Sequence, residues 1–257
     1  KAGVCLNVDE AEENSIENKF IIHNGFFFNI DNKRILSKKR EDQFQIIEFV
    51  IENLVTKYDK IHLSLDPQVK DIRPFQWFNY NKLGPKFDIS IKYTSLLDIT
   101  EFKSSKGKDE EDLKLFKNLE PVRRYSIRQA KKENFKIEFD NKLDKFLDLY
   151  KKFLSKNNLS DTKNDYKIIS NISTELLKKN EGVVSYVYNN KSELIYSILT
   201  AWDNTKAYYL YGVASDKNKE SWQGTIGIWS ILKYIAINKN IKIFDFEGVN
   251  SPKRGWF

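Results

Sequence analysis

The sequence predicts a mixed α/β protein whose sheets are largely antiparallel. Three observations carry this. Apolar runs at Gly182 to Tyr188, Glu193 to Trp202 and Tyr208 to Ala214 are separated by the short polar turns Asn189-Asn190 and Asp203 to Lys206, the pattern of an antiparallel meander. Amphipathic helical patterns stand before and after it. The third run feeds a strand, loop, helix, strand unit: a polar loop, then helical spacing from Gln223 to about Asn238, then a buried-looking strand Ile241 to Phe246.

Taken in order, the first eighteen residues predict no element. Phe20 to His23 and Phe26 to Ile30 read as two strands joined by Asn24-Gly25 as a hairpin turn. Between Glu41 and Tyr58, Phe44, Ile47, Phe49, Val50, Ile51, Leu54 and Val55 recur at helical spacing, and Ile61 to Leu65 alternates as a half-buried strand. Asp71 to Asn81 is dense in aromatic residues around Arg73 and predicts a short helix. Its Trp77, Tyr80 and Arg73 could stack on a sugar or base and bind phosphate. Phe87 to Leu97 alternates as a strand.

The charged stretch from Ser104 to Asp112 is the expected domain boundary, which divides the chain into 1–108 and 109–257. A helix is expected from Glu111 to about Asn134, with Arg124, Arg128 and Lys131 on one face as a basic stripe. Asp140 is read as the cap of a helix that buries Leu143, Phe146, Leu147, Tyr150 and Phe153, and a further helix spans Asp165 to Lys179.

Composition narrows the function classes. The formal charge is +7, which permits an anionic partner, although abundant Lys, Asn and Ile also suit an AT-rich coding sequence. One cysteine, Cys5, excludes an intrachain disulfide, and two histidines, His23 and His62, supply too few soft ligands for a structural zinc. No apolar run is long enough to cross a bilayer, and the first residues do not read as a secretory signal. A soluble, cytoplasmic, metal-independent protein is the expectation. There is no Ser-His-Asp or Cys-His pattern, so a covalent enzyme intermediate is not expected.

At Gln223-Gly224-Thr225-Ile226-Gly227 the two glycines allow close backbone approach, and a helix start offers unpaired N–H groups suited to phosphate or an acyl oxyanion. This stretch resembles, loosely, the Gln/Arg-x-x-Gly-x-Gly/Ala turn that holds coenzyme A in the GNAT acyltransferase superfamily. Together with Asp245-Phe246-Glu247-Gly248-Val249-Asn250-Ser251-Pro252-Lys253-Arg254-Gly255-Trp256-Phe257 and Arg123-Arg124-Tyr125-Ser126-Ile127-Arg128-Gln129-Ala130-Lys131, it resembles the Fem-type branch of that superfamily. That branch includes the non-ribosomal peptidyltransferases of cell-wall synthesis.

The resemblance implies two tandem GNAT-like domains and transfer of an acyl or aminoacyl group, from acyl-CoA or aminoacyl-tRNA, to an amino group. The implied acceptor is a nucleotide-linked amino sugar or a cell-wall precursor, with tRNA as a further partner. It places Trp222, Gln223, Gly224, Thr225 and Gly227 at the donor. Arg73, Trp77, Tyr80, Arg124, Arg128, Tyr211, Asn250 and Arg254 would contact substrate, and Asp245, Glu247 and Lys253 would lie at the reacting centre. Asp245 and Glu247 are two apart at a strand end, so a regular strand would put both on one face, where one could take the amine's proton. The rival reading is a GNAT-fold module without catalysis that binds RNA or an anionic glycan. A nucleotide-binding oxidoreductase is disfavoured, because the glycine turn lacks the first glycine of the dinucleotide fingerprint.

Overall fold

The computed structural model describes residues 2–17, 21–29, 33–67, 69–104, 107, 109–156, 162–215 and 220–248. The chain forms two compact units, Lys1–Ile91 and Lys92–Phe257. The division falls earlier than the boundary expected at 108, because the strand that follows Ile91 joins the sheet of the second unit.

In the first unit, β1 (Ala2–Cys5) pairs antiparallel with β2 (Gly25–Phe28), with Val4 opposite Phe26. The hairpin expected around Asn24-Gly25 is therefore replaced by a long-range pair. Gly25 has φ +94°, and Asn24 instead exchanges hydrogen bonds with Ser64: its N–H donates to the Ser64 carbonyl at 2.7 Å and its Oδ1 accepts from the Ser64 N–H at 2.5 Å. Ile61 to Leu65, expected as a strand, is held by such contacts without a ladder. Helix α1 (Leu36–Lys57) buries Ile47, Ile51 and Leu54, and α2 (Arg73–Trp77) opens on Pro74, whose missing N–H is harmless in a first turn. Phe26, Ile47, Ile51 and Phe75 make the core. Among the described residues this unit shows a two-stranded ribbon, so a second copy of the larger sheet is not seen.

The second unit is built on six strands in the order β3-β8-β7-β6-β5-β4. In chain order these are β3 (Thr94–Asp98), α3 (Glu101–Ser104), a 3-10 turn (Glu110–Asp112), α4 (Lys114–Lys117), α5 (Pro121–Lys132), β4 (Lys136–Asp140), α6 (Asp144–Lys156) and α7 (Thr162–Lys178). Then follow β5 (Gly182–Tyr188), β6 (Leu194–Trp202), β7 (Lys206–Ala214), α8 (Gln223–Tyr234), a π-helical turn (Ile235–Lys239) and β8 (Ile243–Gly248). Every pairing is antiparallel except β7 with β8, which the α8 crossover makes parallel. The meander and the crossover unit thus form as the periodicity predicts.

Four local expectations change. The helix from 111 to 134 is broken before Pro121, with Glu120 at ψ 146°, since proline disfavours helical backbone in the residue before it. Lys136 to Asp140 is a strand, and Asp140 ends it, its carboxylate accepting from the N–H of Asn141 and Lys142. In α6, Leu154 is buried while Phe153 is exposed. Of the run 87–97, only Thr94 onward forms a strand.

The two faces of the sheet are distinguishable from contacts. Tyr196 and Ile198 of β6 lie under α8, where a Cβ added at Gly227 would stand 2.9 Å from Tyr196 Cδ1 and 3.3 Å from Ile198 Cδ1. On the other face Tyr211 of β7 meets Tyr150 of α6, ring centroids 6.0 Å apart. Phe244, Ile198, Trp222, Trp229 and Ile231 are among the buried residues of the α8-side core. Gly227 is thus a packing glycine that lets the helix settle onto the tyrosine ring. Gly227→Ala is expected to overpack this contact and lower stability by about 1–3 kcal/mol, read as a lower urea midpoint at unchanged slope.

Candidate active site where strands β7 and β8 part

The β7–β8 ladder contains Lys206 opposite Ile243, Ala207 opposite Phe244 and Tyr208 opposite Asp245, and ends there. Both strands continue, β7 to Ala214 and β8 to Gly248, so the sheet opens beyond Tyr208 and Asp245. Each strand carries a bulge at this opening. In β7, Thr200 pairs with Tyr209 but Leu199 pairs with Tyr211, which leaves Leu210 as the extra residue. The inserted residue shifts the alternation so that Tyr209 and Gly212 face α8 while Tyr211 faces α6.

That placement brings two tyrosines together. Tyr196 and Tyr209 hydroxyls are 3.0 Å apart, and a Cβ at Gly212 would fall 1.7 Å from the Tyr209 hydroxyl and 2.5 Å from that of Tyr196. Only a glycine leaves room for this pair. Burial pushes both phenol pKa values up, so both remain neutral donors and acceptors at physiological pH.

On β8, Leu96 pairs with Asp245 but Thr94 pairs with Gly248, so an extra residue lies between them. Glu247 takes up the irregularity with φ +56°, a left-handed conformation unusual outside glycine, and its N–H donates to Asp245 Oδ1 at 2.9 Å. Asp245 is fully buried. Its Oδ1 also accepts from the Thr94 hydroxyl, and its Oδ2 lies 3.8 Å from Nζ of Lys206, itself 6% exposed. By alternation Lys206, Tyr208 and Asp245 share the face away from α8, and the Lys206 ammonium stands over the Tyr208 ring, 5.4 Å from its centroid.

Glu247 is the titratable group that stands out. Burial first, and the neighbouring Asp245 charge second, push its carboxyl up to about 8. Its Oε1 and the Oδ2 of Asp245 are buried without a hydrogen-bond partner among the described residues. Buried polar atoms are paired in most native structures, and of these two oxygens that of Asp245 faces the Lys206 ammonium at 3.8 Å, which leaves Glu247 Oε1 as the buried acceptor with no ion pair among the described residues. A carboxyl that titrates near neutrality is suited to take a proton from an amine.

The donor-side residues divide. Trp222 is 2% exposed and belongs to the core, against Phe135. Gln223 is the first residue of α8, not part of a turn ahead of it, and its Oε1 accepts from the Glu220 N–H at 3.1 Å, which braces the approach to the helix. Gly224 and Thr225 are half-exposed, and as first-turn positions their N–H groups have no intrahelical acceptor. A Cβ at Gly224 would meet Tyr196 at 3.9 Å, so the helix start and the tyrosine pair are continuous.

The arginine stripe has other work. Arg128 makes a forked ion pair with Glu111, at 2.9 and 2.6 Å, and Lys131 pairs with Glu110 at 3.2 Å, which ties α5 to the 3-10 turn. Arg124 is half-exposed on the same helix. The arginine that reaches the helix start is the unpredicted Arg123, whose Nη1 donates to Thr225 Oγ1 at 3.2 Å. It opens the stretch Arg123 to Lys131 quoted for the resemblance but was not among the expected substrate contacts, and a one-residue step from Arg124 rotates a helix position by roughly 100°.

Arg73, Trp77 and Tyr80 belong to the first unit. There Arg73 is held by Asp71 and lies over the rings of Phe44 and Trp77, at 5.3 and 5.2 Å. Asn250, Lys253 and Arg254 lie outside the described residues. No group of three or more His, Cys, Asp or Glu able to hold a metal ion is found among the described residues.

No protein-family model and no curated protein matches the chain. Solved structures similar to it include that of FemX, at 15% identity and a TM-score of 0.49, covering 63% of this chain and 55% of that one. Another is the C-terminal domain of a protein named as a lysylphosphatidylglycerol synthetase from Agrobacterium fabrum, at 14% identity and a TM-score of 0.42, covering 60% and 46%. A third is L-PGS from Bacillus licheniformis, at 11% identity and a TM-score of 0.39, covering 65% and 49%. The chain thus spans about half the length of each of these structures.

Proposed function

We propose that the chain transfers an acyl or aminoacyl group to an amine at the opening between β7 and β8. The observation that carries this is Glu247: a carboxyl pushed up to about 8, on a bulge, with a buried oxygen that has no partner among the described residues. In this reading the amine nitrogen attacks the carbonyl carbon of the donor. The C–N bond forms, the ester or thioester bond breaks, Glu247 takes the amine's proton, and the leaving oxygen or sulfur is protonated in turn.

The N–H groups of Gly224 and Thr225 at the start of α8 suit a donor phosphate, and the Tyr196–Tyr209 hydroxyls suit the carbonyl oxygen as its charge develops. Asp245 is a positioning group: it accepts the Glu247 N–H and so holds the bulge in place. The donor classes, aminoacyl-tRNA or acyl-CoA, and the acceptor class, a nucleotide-linked amino sugar or cell-wall precursor, come from the Fem-type resemblance of the sequence. Asn250, Lys253 and Arg254 are proposed near the same centre on that ground alone, as are Arg124 and Arg128 at acceptor phosphates.

The test is transfer itself. The protein is incubated with labelled aminoacyl-tRNA and, separately, labelled acetyl-CoA, each with amino-sugar nucleotides and cell-wall precursors as acceptors. Label moving to an acceptor amine supports the reading and identifies the donor class. No transfer from either donor to any acceptor, with salt-sensitive binding to RNA instead, would favour the non-catalytic module.

A further inference from the structure

The turn that follows α2 is an apolar knob with a basic collar. Phe75, Phe78 and Phe87 pack edge to face beneath it, with Phe75 and Phe78 centroids 5.3 and 5.6 Å from that of Phe87. Above them Asn79 and Asn81 adopt φ +52° and +56° and Gly84 φ +131°, and the Asn79 side-chain amide donates to the Pro85 carbonyl at 2.8 Å. The turn is braced from within. It directs its largest apolar groups outward: Trp77 is 51% exposed, Tyr80 66% and Leu83 102%.

Charge completes the pattern. Lys82 and Lys86 flank Leu83 and are exposed, and no acidic residue occurs between Asp71 and Asp88. The remaining cation of that stretch, Arg73, is already matched by Asp71. A side chain as exposed as Leu83 projects rather than lines a groove, so it suits insertion into a soft apolar medium. Trp and Tyr, apolar in body and polar at the tip, suit the headgroup level, and lysines there are drawn to anionic lipid. No helix among the described residues is long and apolar enough to cross a membrane, so such contact would be interfacial.

We propose that the Trp77–Lys86 turn docks this protein on an anionic lipid bilayer surface, with Leu83 as the inserted tip and Lys82 and Lys86 against the headgroups. The inference stands apart from the transfer chemistry, because it concerns the first unit and is read without turnover.

The experiment is co-sedimentation of the full chain with vesicles of phosphatidylcholine containing phosphatidylglycerol, and with phosphatidylcholine alone. The intact protein is expected on the anionic vesicles and not on the neutral ones. Leu83→Glu, at a side chain whose loss leaves no cavity, is expected to weaken partitioning at least about tenfold with an unchanged circular dichroism spectrum. Lys82→Ala with Lys86→Ala is expected to weaken it about 25-fold, about fivefold for each lysine. Absence of binding to anionic vesicles, equal binding to neutral ones, or retention by Leu83→Glu would overturn the proposal. So would a dimer of the free protein that Leu83→Glu dissolves, since the occupant would then be a second copy of the chain.

Discussion

Glu247→Gln is expected to lower the rate of transfer by about 10²–10⁴-fold, the usual contribution of a positioned general base. The same substitution is expected to leave the fold intact. Glutamine has the shape of the protonated carboxyl that burial already favours, and it removes a group whose ionised form is disfavoured by its surroundings. Activity and stability should therefore part company, as they do where a functional group is held in an unfavourable setting.

The pH dependence of stability gives this a sign. The Glu247 carboxyl is pushed up from 4.5 to about 8 in the folded chain, so between those values the folded state binds a proton that the unfolded state does not. Its contribution is complete below pH 4.5 and is lost as pH rises through about 8. Urea unfolding of the intact protein should show that decline, and Glu247→Gln should flatten it. A slope unchanged by the substitution would mean that the titrating group lies elsewhere.

Asp245→Ala is the second large effect, and it falls on stability. The fully buried carboxylate accepts from the Thr94 hydroxyl and the Glu247 N–H, and it stands opposite the buried Lys206 ammonium. Removing one partner of a buried ion pair takes that interaction from the other charge, and a loss of about 3–5 kcal/mol is expected. The double variant Asp245→Leu with Lys206→Met should lose less than Asp245→Ala alone, because both desolvated charges are gone. If the double variant is instead the less stable of the two, the ion pair is not what the burial of Lys206 depends on.

Asp245 ties stability to chemistry because the same carboxylate holds the bulge on which Glu247 stands. Asp245→Asn keeps the acceptor oxygen and removes the charge, so the Glu247 carboxyl should titrate at lower pH, while the fold loses the Lys206 ion pair but keeps the hydrogen bond that holds the bulge. That outcome separates the electrostatic role of Asp245 from its hydrogen bonds.

Much of the second unit was legible in the sequence. β5, β6 and β7 alternate or run apolar over seven to nine residues between polar turns, and α8 is long enough for its period to be plain. Asp245 and Glu247 were legible as a carboxylate pair at a strand end. The bulges that make the pair useful were not, because the residues that take them up, Leu210 and Glu247, are ordinary ones and the nearby Gly212 and Gly248 do not by themselves specify a bulge. Short elements fared worse: Lys136 to Asp140 alternates over only five residues beside a strong helical pattern.

Long-range partners account for the remaining differences. Whether Arg128 faces a ligand or Glu111 depends on a 3-10 turn seventeen positions earlier in the chain, and the periodicity of α5 carries no information about that turn. The pairing of β2 with β1 is of the same kind: Asn24-Gly25 is a good local hairpin signal, and a more distant strand won the hydrogen bonds of Gly25 to Phe28. Gly227 illustrates a third limit. A glycine read as a ligand cradle and a glycine pressed on a tyrosine ring look alike until the ring is placed.

The most direct test of the account is the pH profile of kcat/KM for transfer, measured on the intact protein and on Glu247→Gln with the donor that supports turnover. The account predicts a rate that rises with pH through about 8 in the intact protein, and a residual rate in the variant that lacks this step. A profile whose rising limb survives the loss of Glu247 would contradict it.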